Sequence, residues 1–279
     1  MPAINLNAPY AGEVEYATVG GDEPGSAVTG ANCTIDPQVR TVDGIGMQRV
    51  SHRSHYTGVI GYDVTFPVKA LLSAMLRSAA TNSVATKTCI AGNQDTEWSL
   101  ASCQPSGFTA RCAIGEPLTG NVGYWGIPTQ GTTGGVMGAP SSSVQVGDTG
   151  FGVAVEGADY FVQSWEATLN TNPYWFVAMN HTTSDSAPDA VLLGVQDVTL
   201  RLSCAKQIPD ATAKFTPDEH EADFDITIIG VNSADAAQIT FTFSDLGTPV
   251  ETGTSNIGAL KVWDYDFPAC KQLGVLVIT

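Results

Sequence analysis

Positive charge is scarce in this sequence. Twelve Lys and Arg stand against 28 Asp and Glu in 279 residues, a formal net charge of −16. A chain that grips a phosphate backbone needs clustered cations instead. Long apolar runs are missing too. The longest, around Ala70 to Met75, falls far short of the roughly 20 residues a helix needs to cross a bilayer, so no membrane span is expected. Six cysteines, Cys33, Cys89, Cys103, Cys112, Cys204 and Cys270, lie singly with no C-x-x-C pair. That removes the usual zinc and thioredoxin spacings and leaves buried, reduced thiols as the expectation. The opening Met1-Pro2-Ala3-Ile4-Asn5-Leu6-Asn7 has neither the basic start nor the apolar core of a secretory signal, so folding in the cytoplasm is expected. G-x-S-x-G, G-x-x-x-x-G-K-[ST], H-E-x-x-H and the D-x-[DN]-x-[DN]-G loop are all absent. No catalytic, cofactor-binding or metal-binding residue can be nominated, and the expectation is a protein that is not an enzyme.

What the sequence does contain is alternation. A 43% hydrophobic fraction with 29 Gly and 15 Pro is globular and rich in turns. From Gln238 to Ser244, Ile239, Phe241 and Phe243 alternate with polar residues, the period-two mark of a half-buried strand. The same pattern appears in Ile60, Tyr62, Val64 and Phe66; in Phe108, Ala110, Cys112 and Ile114; and in Phe161, Trp165, Ala167 and Leu169. It recurs in Val198, Leu200, Leu202 and Cys204; in Phe224, Ile226 and Ile228; and more briefly at Val14 and Tyr16. Strands of this kind bounded by Gly, Asn and Pro turns predict an all-β, mainly antiparallel fold of sandwiches or barrels.

One stretch has helical spacing. Pro67 precedes Val68, Leu71, Leu72, Met75, Leu76 and Ala79, which predicts a single flanking α-helix over 67–80 that covers a sheet. The Gly-, Ser- and Thr-rich stretch 126–150 divides the chain into regions 1–125 and 151–279 and reads as a linker or an arm. The charge is unequal across it, with 10 acids against 7 bases before it and 18 against 5 from residue 126 onward. A loose internal duplication pairs the hairpin at Phe108–Gly126 with the strand at Val162–Leu169 and its late return at Leu193–Leu202.

Three groupings invite chemistry. His52 and His55 would sit on opposite faces of a strand, and a helix would offer only two ligands, so a polar loop or strand edge is the preferred reading over a metal site. Asp210, Asp218, Glu219, Glu221, Asp223 and Asp225 lack the spacing of a calcium loop and read as a solvated acidic face. Tyr174-Trp175-Phe176, near Trp165, reads as core or interface in preference to a sugar-stacking platform.

Three patches together resemble the tail tube proteins of long-tailed, siphovirus-type bacteriophages in their duplicated form. They are Tyr56 to Pro67 running into Leu71-Leu72-Ser73-Ala74-Met75-Leu76, the hairpin Ala110 to Val122, and Val162 to Asn170 with its return strand. The resemblance implies two tandem tail-tube-like β-sandwich or barrel domains, 1–125 with the helix and 151–279, joined by 126–150. It implies a structural virion protein, made in the host cytoplasm, that polymerises as stacked rings into the tail tube. Its partners would be copies of itself in trimeric pseudo-six-fold rings, or hexamers, together with other tail proteins. DNA would transit an acidic lumen without specific binding, which suits a charge of −16. The alternatives are another virion β-protein, as a capsid decoration or tail-tip module, and a secreted carbohydrate-binding β-sandwich.

Overall fold

The structure is a computed structural model. It describes residues 16–20, 28–36, 39–42, 50–53, 56–65, 69–77, 84–92, 97–129, 151–176, 188–205, 208, 224–231, 237–247, 249–254, 261–268 and 276–279. The first half of the chain holds β1 (Tyr16–Val19), β2 (Val28–Asp36), β3 (Val39–Val42), β4 (Val50–Arg53), β5 (Thr57–Thr65), α1 (Lys69–Ser73), β6 (Lys87–Gly92), β7 (Glu97–Ala113) and β8 (Thr119–Thr129). The second half begins with β9 (Phe151–Val155), β10 (Ala158–Tyr160), β11 (Val162–Asn170), β12 (Pro173–Phe176), β13 (Ala190–Leu193) and β14 (Asp197–Cys204). It ends with β15 (Phe224–Val231), β16 (Ala237–Leu246), β17 (Val250–Thr254), β18 (Val262–Phe267) and β19 (Leu276–Ile278). The fold is all-β and antiparallel, as the alternation predicts.

Eight strands follow one another in a single long sheet, in the order β17-β18-β14-β11-β7-β8-β5-β2, with β1 and β6 as a branch. Four of the eight come from each half of the chain, and β7 joins β11 at the seam. β7 keeps β8 on one edge along its length but changes partner on the other: Gly92↔Glu97 to Lys87↔Cys103 against β6, then Gly107↔Asn170 to Ala113↔Ser164 against β11. The change falls at a bulge, where the β7–β8 register shifts twice between Ala101 and Gly107. Pro105 within it has no N–H for a ladder. Gly107 there has φ 146°, and a Cβ on it would strike the Leu169 carbonyl oxygen of β11. Glycine therefore sets how closely the halves approach.

Behind β11, β14 and β18 lies a five-stranded sheet, β10-β9-β15-β16-β19. The layers meet through aromatic rings. Trp165 lies 5.2 Å from Phe151 and 5.3 Å from Phe241 between centroids, and Phe224 lies 5.6 Å from Phe267. Such pairs contribute about 0.5–1.5 kcal/mol beyond the area they bury. Behind the first-half strands the filling is Tyr62, Tyr124, Leu100, Cys89 and Cys103, all buried.

Several expectations need correcting. The helix is shorter than 67–80: α1 is Lys69–Ser73, followed by a tight turn in which the Met75 N–H donates to the Leu72 carbonyl at 3.1 Å and the Leu76 N–H to that of Ser73 at 3.1 Å. In a continuing helix the Met75 carbonyl would accept from residue 79. Here it accepts from the Gln196 side-chain amide at 3.2 Å. Leu71, Leu72 and Met75 are buried as their spacing requires, and α1 lies against β19, an element of the other half. Residues 67–68 and 78–80 lie outside the described residues. Gly126–Thr129 belongs to β8 and not to a linker, while 130–150 lies outside the described residues. Ile114 and Phe161, expected on buried faces, are 76% and 78% exposed, because β7 ends at Ala113 and β11 begins at Val162.

Candidate functional site

Alternation gives the long sheet one buried and one polar face. On β11, Trp165, Ala167 and Leu169 are buried, so Glu166 and Thr168 point the other way. On β14 the buried set is Val198, Leu200, Leu202 and Cys204, which leaves Thr199, Arg201 and Ser203 outward. By the same parity Thr109 and Arg111 on β7, Asn121 on β8, Asp63 on β5, and Asp264 and Asp266 on β18 share the polar face.

Register then assembles a row. Asp266 is opposite Arg201, Arg201 opposite Glu166, Glu166 opposite Arg111, and Arg111 opposite Thr119. Four neighbouring strands thus alternate −, +, −, +. Arg201 Nη2 lies 3.3 Å from Asp266 Oδ2. The hydrogen bond to Asp266 and its charge, with Glu166 adding, push the guanidinium further up from its ordinary value. Opposite-charge cross-strand neighbours stabilise by about 0.2–1 kcal/mol, and exposed ion pairs by about 0–1 kcal/mol. The row therefore selects register and cancels charge more than it adds stability. Arg111 Nε donates to Thr119 Oγ1 at 3.5 Å.

Flanking rows carry little positive charge. Ser203 Oγ donates to Asp264 Oδ1 at 2.7 Å. On the other side Thr199, Thr168, Thr109, Asn121 and Asp63 follow in register, with Asn121 Nδ2 donating to Asp63 Oδ1 at 2.9 Å. The face is hollowed by two grooves of about 600 and 460 Å³ that share Arg111 and Thr119. The acids are unequally divided. This face carries Glu166, Asp197, Asp264 and Asp266 with Arg201 on the second-half strands, and Asp36 and Asp63 with Arg111 on the first-half strands.

The groupings singled out in the sequence do not converge on this face. His52 is on β4, opposite Arg40 of β3, and His55 lies outside the described residues. Of the acidic stretch only Asp225 is described. It is exposed on β15, and its N–H donates to Glu156 Oε1 at 3.0 Å. Asp210, Asp218, Glu219, Glu221 and Asp223 lie outside the described residues. Trp175 stacks on Trp125 at 5.2 Å and 18°, whereas Tyr174 and Phe176 are exposed. Among the described residues, no group of three or more His, Cys, Asp or Glu is placed to hold a metal ion, and no helix is long and apolar enough to cross a membrane. Cys33, Cys89, Cys103, Cys112 and Cys204 are free thiols. Burial pushes Cys33 up to about 11 and Cys204 up to about 12. Cys270 is outside the described residues.

Glu166, Arg201 and Arg111 lie between the alternating apolar positions of their strands, and the sequence reading singled out none of them. Only strand order brings them together. No protein-family model matches the chain, and no curated protein sequence does either.

Proposed function

We propose that this chain is a structural, self-assembling virion protein whose long sheet closes with further copies into a ring. Stacked rings form a tail tube that conducts DNA. The observation that carries this reading is the eight-strand antiparallel sheet, with a hollowed polar face and two edges, β2 and β17, that are open among the described residues. With strand direction alternating across an even number of strands, β2 of one copy meets β17 of the next antiparallel when copies sit side by side in one orientation. Neither edge carries the Pro or Lys that blunts an edge against pairing: they read VTGANCTID and VETGT.

Width favours three copies. At about 4.8 Å per strand, 24 strands give a circumference of about 115 Å and a backbone diameter of about 37 Å before strand tilt widens it. Subtracting side chains on both sides leaves room for a duplex. Two copies close too tightly, and six copies using all eight strands give a far wider pore. A hexamer remains the arrangement if only half of each sheet lines the lumen. The hairpin pairs β7–β8 and β11–β14 meet antiparallel at the seam, so a local two-fold relates them, and the three-copy ring rests on sheet width and not on that repeat. A lining whose charged row holds as many acids as arginines, set within an acidic excess, offers phosphates little positive charge.

Electron microscopy of concentrated protein tests the reading. Hollow tubes are expected, and a ring-averaged reconstruction should count three chains. A monomer at high concentration, or discrete particles only, would overturn it in favour of a decoration or tip module.

A further inference from the structure

We infer that Cys89 and Cys103 are a dithiol built to close into a disulfide when the chain meets a peroxide, locking the β1–β6 branch onto β7. Such a lock acts within one chain and does not depend on the tube reading. Leu100 and Cys103, three residues apart on β7, are both fully buried, whereas three steps along an uninterrupted strand lead to the opposite face. An extra residue resets the parity. The β6–β7 register slips between Cys89↔Leu100 and Lys87↔Cys103, and Ser102, exposed at the slip, has φ 50°. A non-glycine residue there carries backbone strain. Bulges re-aim side chains, and this one turns the Cys103 thiol onto the face that holds Cys89.

The two sulfurs meet on that face. The Cys89 thiol hydrogen-bonds to the Cys103 sulfur, and Cys103 Sγ donates in turn to the Leu100 carbonyl at 3.2 Å. β8 makes room for this sulfur with a glycine, since a Cβ on Gly126 would strike Cys103 Sγ. Cys33, half-buried on β2, is the rival partner, because its thiol also feels Cys103. Burial pushes the Cys89 thiol up, which keeps it protonated and inert while β6 is in place. The outer side of β6 is covered by the four-residue β1, and a short branch at a sheet margin is where local opening begins. On opening, the Cys89 sulfur takes one oxygen from the peroxide as its O–O bond breaks, giving a sulfenic acid and one water. The Cys103 sulfur then forms the S–S bond by displacing that oxygen, which leaves as a second water with the Cys103 thiol proton. The two thiols lose two electrons and the peroxide gains them. The link closes the segment Cys89 to Cys103 into a loop and restricts the unfolded chain. A reducing compartment keeps both thiols, and a thiol reductant reopens the lock.

The test treats the full chain with hydrogen peroxide in native buffer, alkylates free thiols and digests with trypsin. Thr88–Arg111 is one tryptic peptide holding these two cysteines and no other. It should return unalkylated and lighter by a pair of hydrogens, and accept two alkyl groups after dithiothreitol. In urea the oxidised protein should show a folded-to-unfolded ratio at least about tenfold above that of the reduced protein. Cys33→Ala should keep this gain and Cys89→Ala should lose it. If Cys89→Ala fails to fold, the mass of the wild-type peptide still decides. A peptide alkylated twice or carrying added oxygen, a cross-link from Cys103 to Cys33, or a link without the gain in urea would each overturn the inference.

Discussion

The two sides of the β7–β11 seam solve the same problem with different material. On the second-half side a separate five-stranded sheet backs the strands, and the filling is aromatic: Trp165, Phe224, Phe241, Phe243 and Phe267. The first-half strands rest on more polar groups, Tyr62, Tyr124, Cys89 and Cys103, beside a branch of their own sheet. The polar face nevertheless runs across the seam unbroken. The lesson is that period-two alternation makes a continuous face whatever backs it, provided the strands stay in register. The acids of that face are more numerous on the second-half side.

Experiments can break this comparison in order of size. The largest effect belongs to the aromatic side: Phe241→Ala removes a fully buried ring packed on Trp165 and should cost about 3–5 kcal/mol in urea unfolding. If the loss is under about 1 kcal/mol, the two sheets are not packed as described. Gly107→Ala attacks the seam itself. A Cβ at φ 146° against the Leu169 carbonyl should cost about 1–3 kcal/mol and shift Trp and Tyr signals together, because both sides meet there. Independent transitions would show that the seam does not couple them.

On the first-half side, Tyr62→Phe deletes the hydroxyl that donates to the Ile90 carbonyl at 3.0 Å and should cost about 1 kcal/mol. Asp266→Asn on the polar face should cost about 0–1 kcal/mol and respond to salt. A loss above about 2 kcal/mol would mean that the charged row holds the fold and does more than line a surface.

The smallest effect is in pH. Burial raises Cys33 from 9.0 to about 11 and Cys204 from 9.0 to about 12, so between about pH 9 and 11 the unfolded chain binds fewer protons than the folded one. Stability should therefore fall as pH rises through this window and show no contribution from these thiols below it. Cys204→Ala should flatten part of that fall. An unchanged slope would place the titration elsewhere.

How much of this was legible in the sequence follows from the range of the forces involved. Alternation depends only on a strand having two faces, so the order of residues alone marked Ile239, Phe241 and Phe243 as a buried row. Helical spacing likewise marked Leu71, Leu72 and Met75 as buried. The end of that helix at Ser73 was illegible, since the turn that follows it has a partner more than a hundred residues away, Gln196 on the Met75 carbonyl. Ile114 and Phe161 kept the pattern of buried residues but fell just beyond the strand ends, where no described neighbour covers them. The charged row was illegible for the same reason on a larger scale: Arg111, Glu166, Arg201 and Asp266 are distant in sequence and become neighbours only through strand order. Composition and period thus determined an acidic, antiparallel β protein with one polar face. Tertiary pairing decided which charges cancel, which edges stay open and where the two halves meet, because hydrogen-bonded register is a property of pairs of strands and not of any one of them.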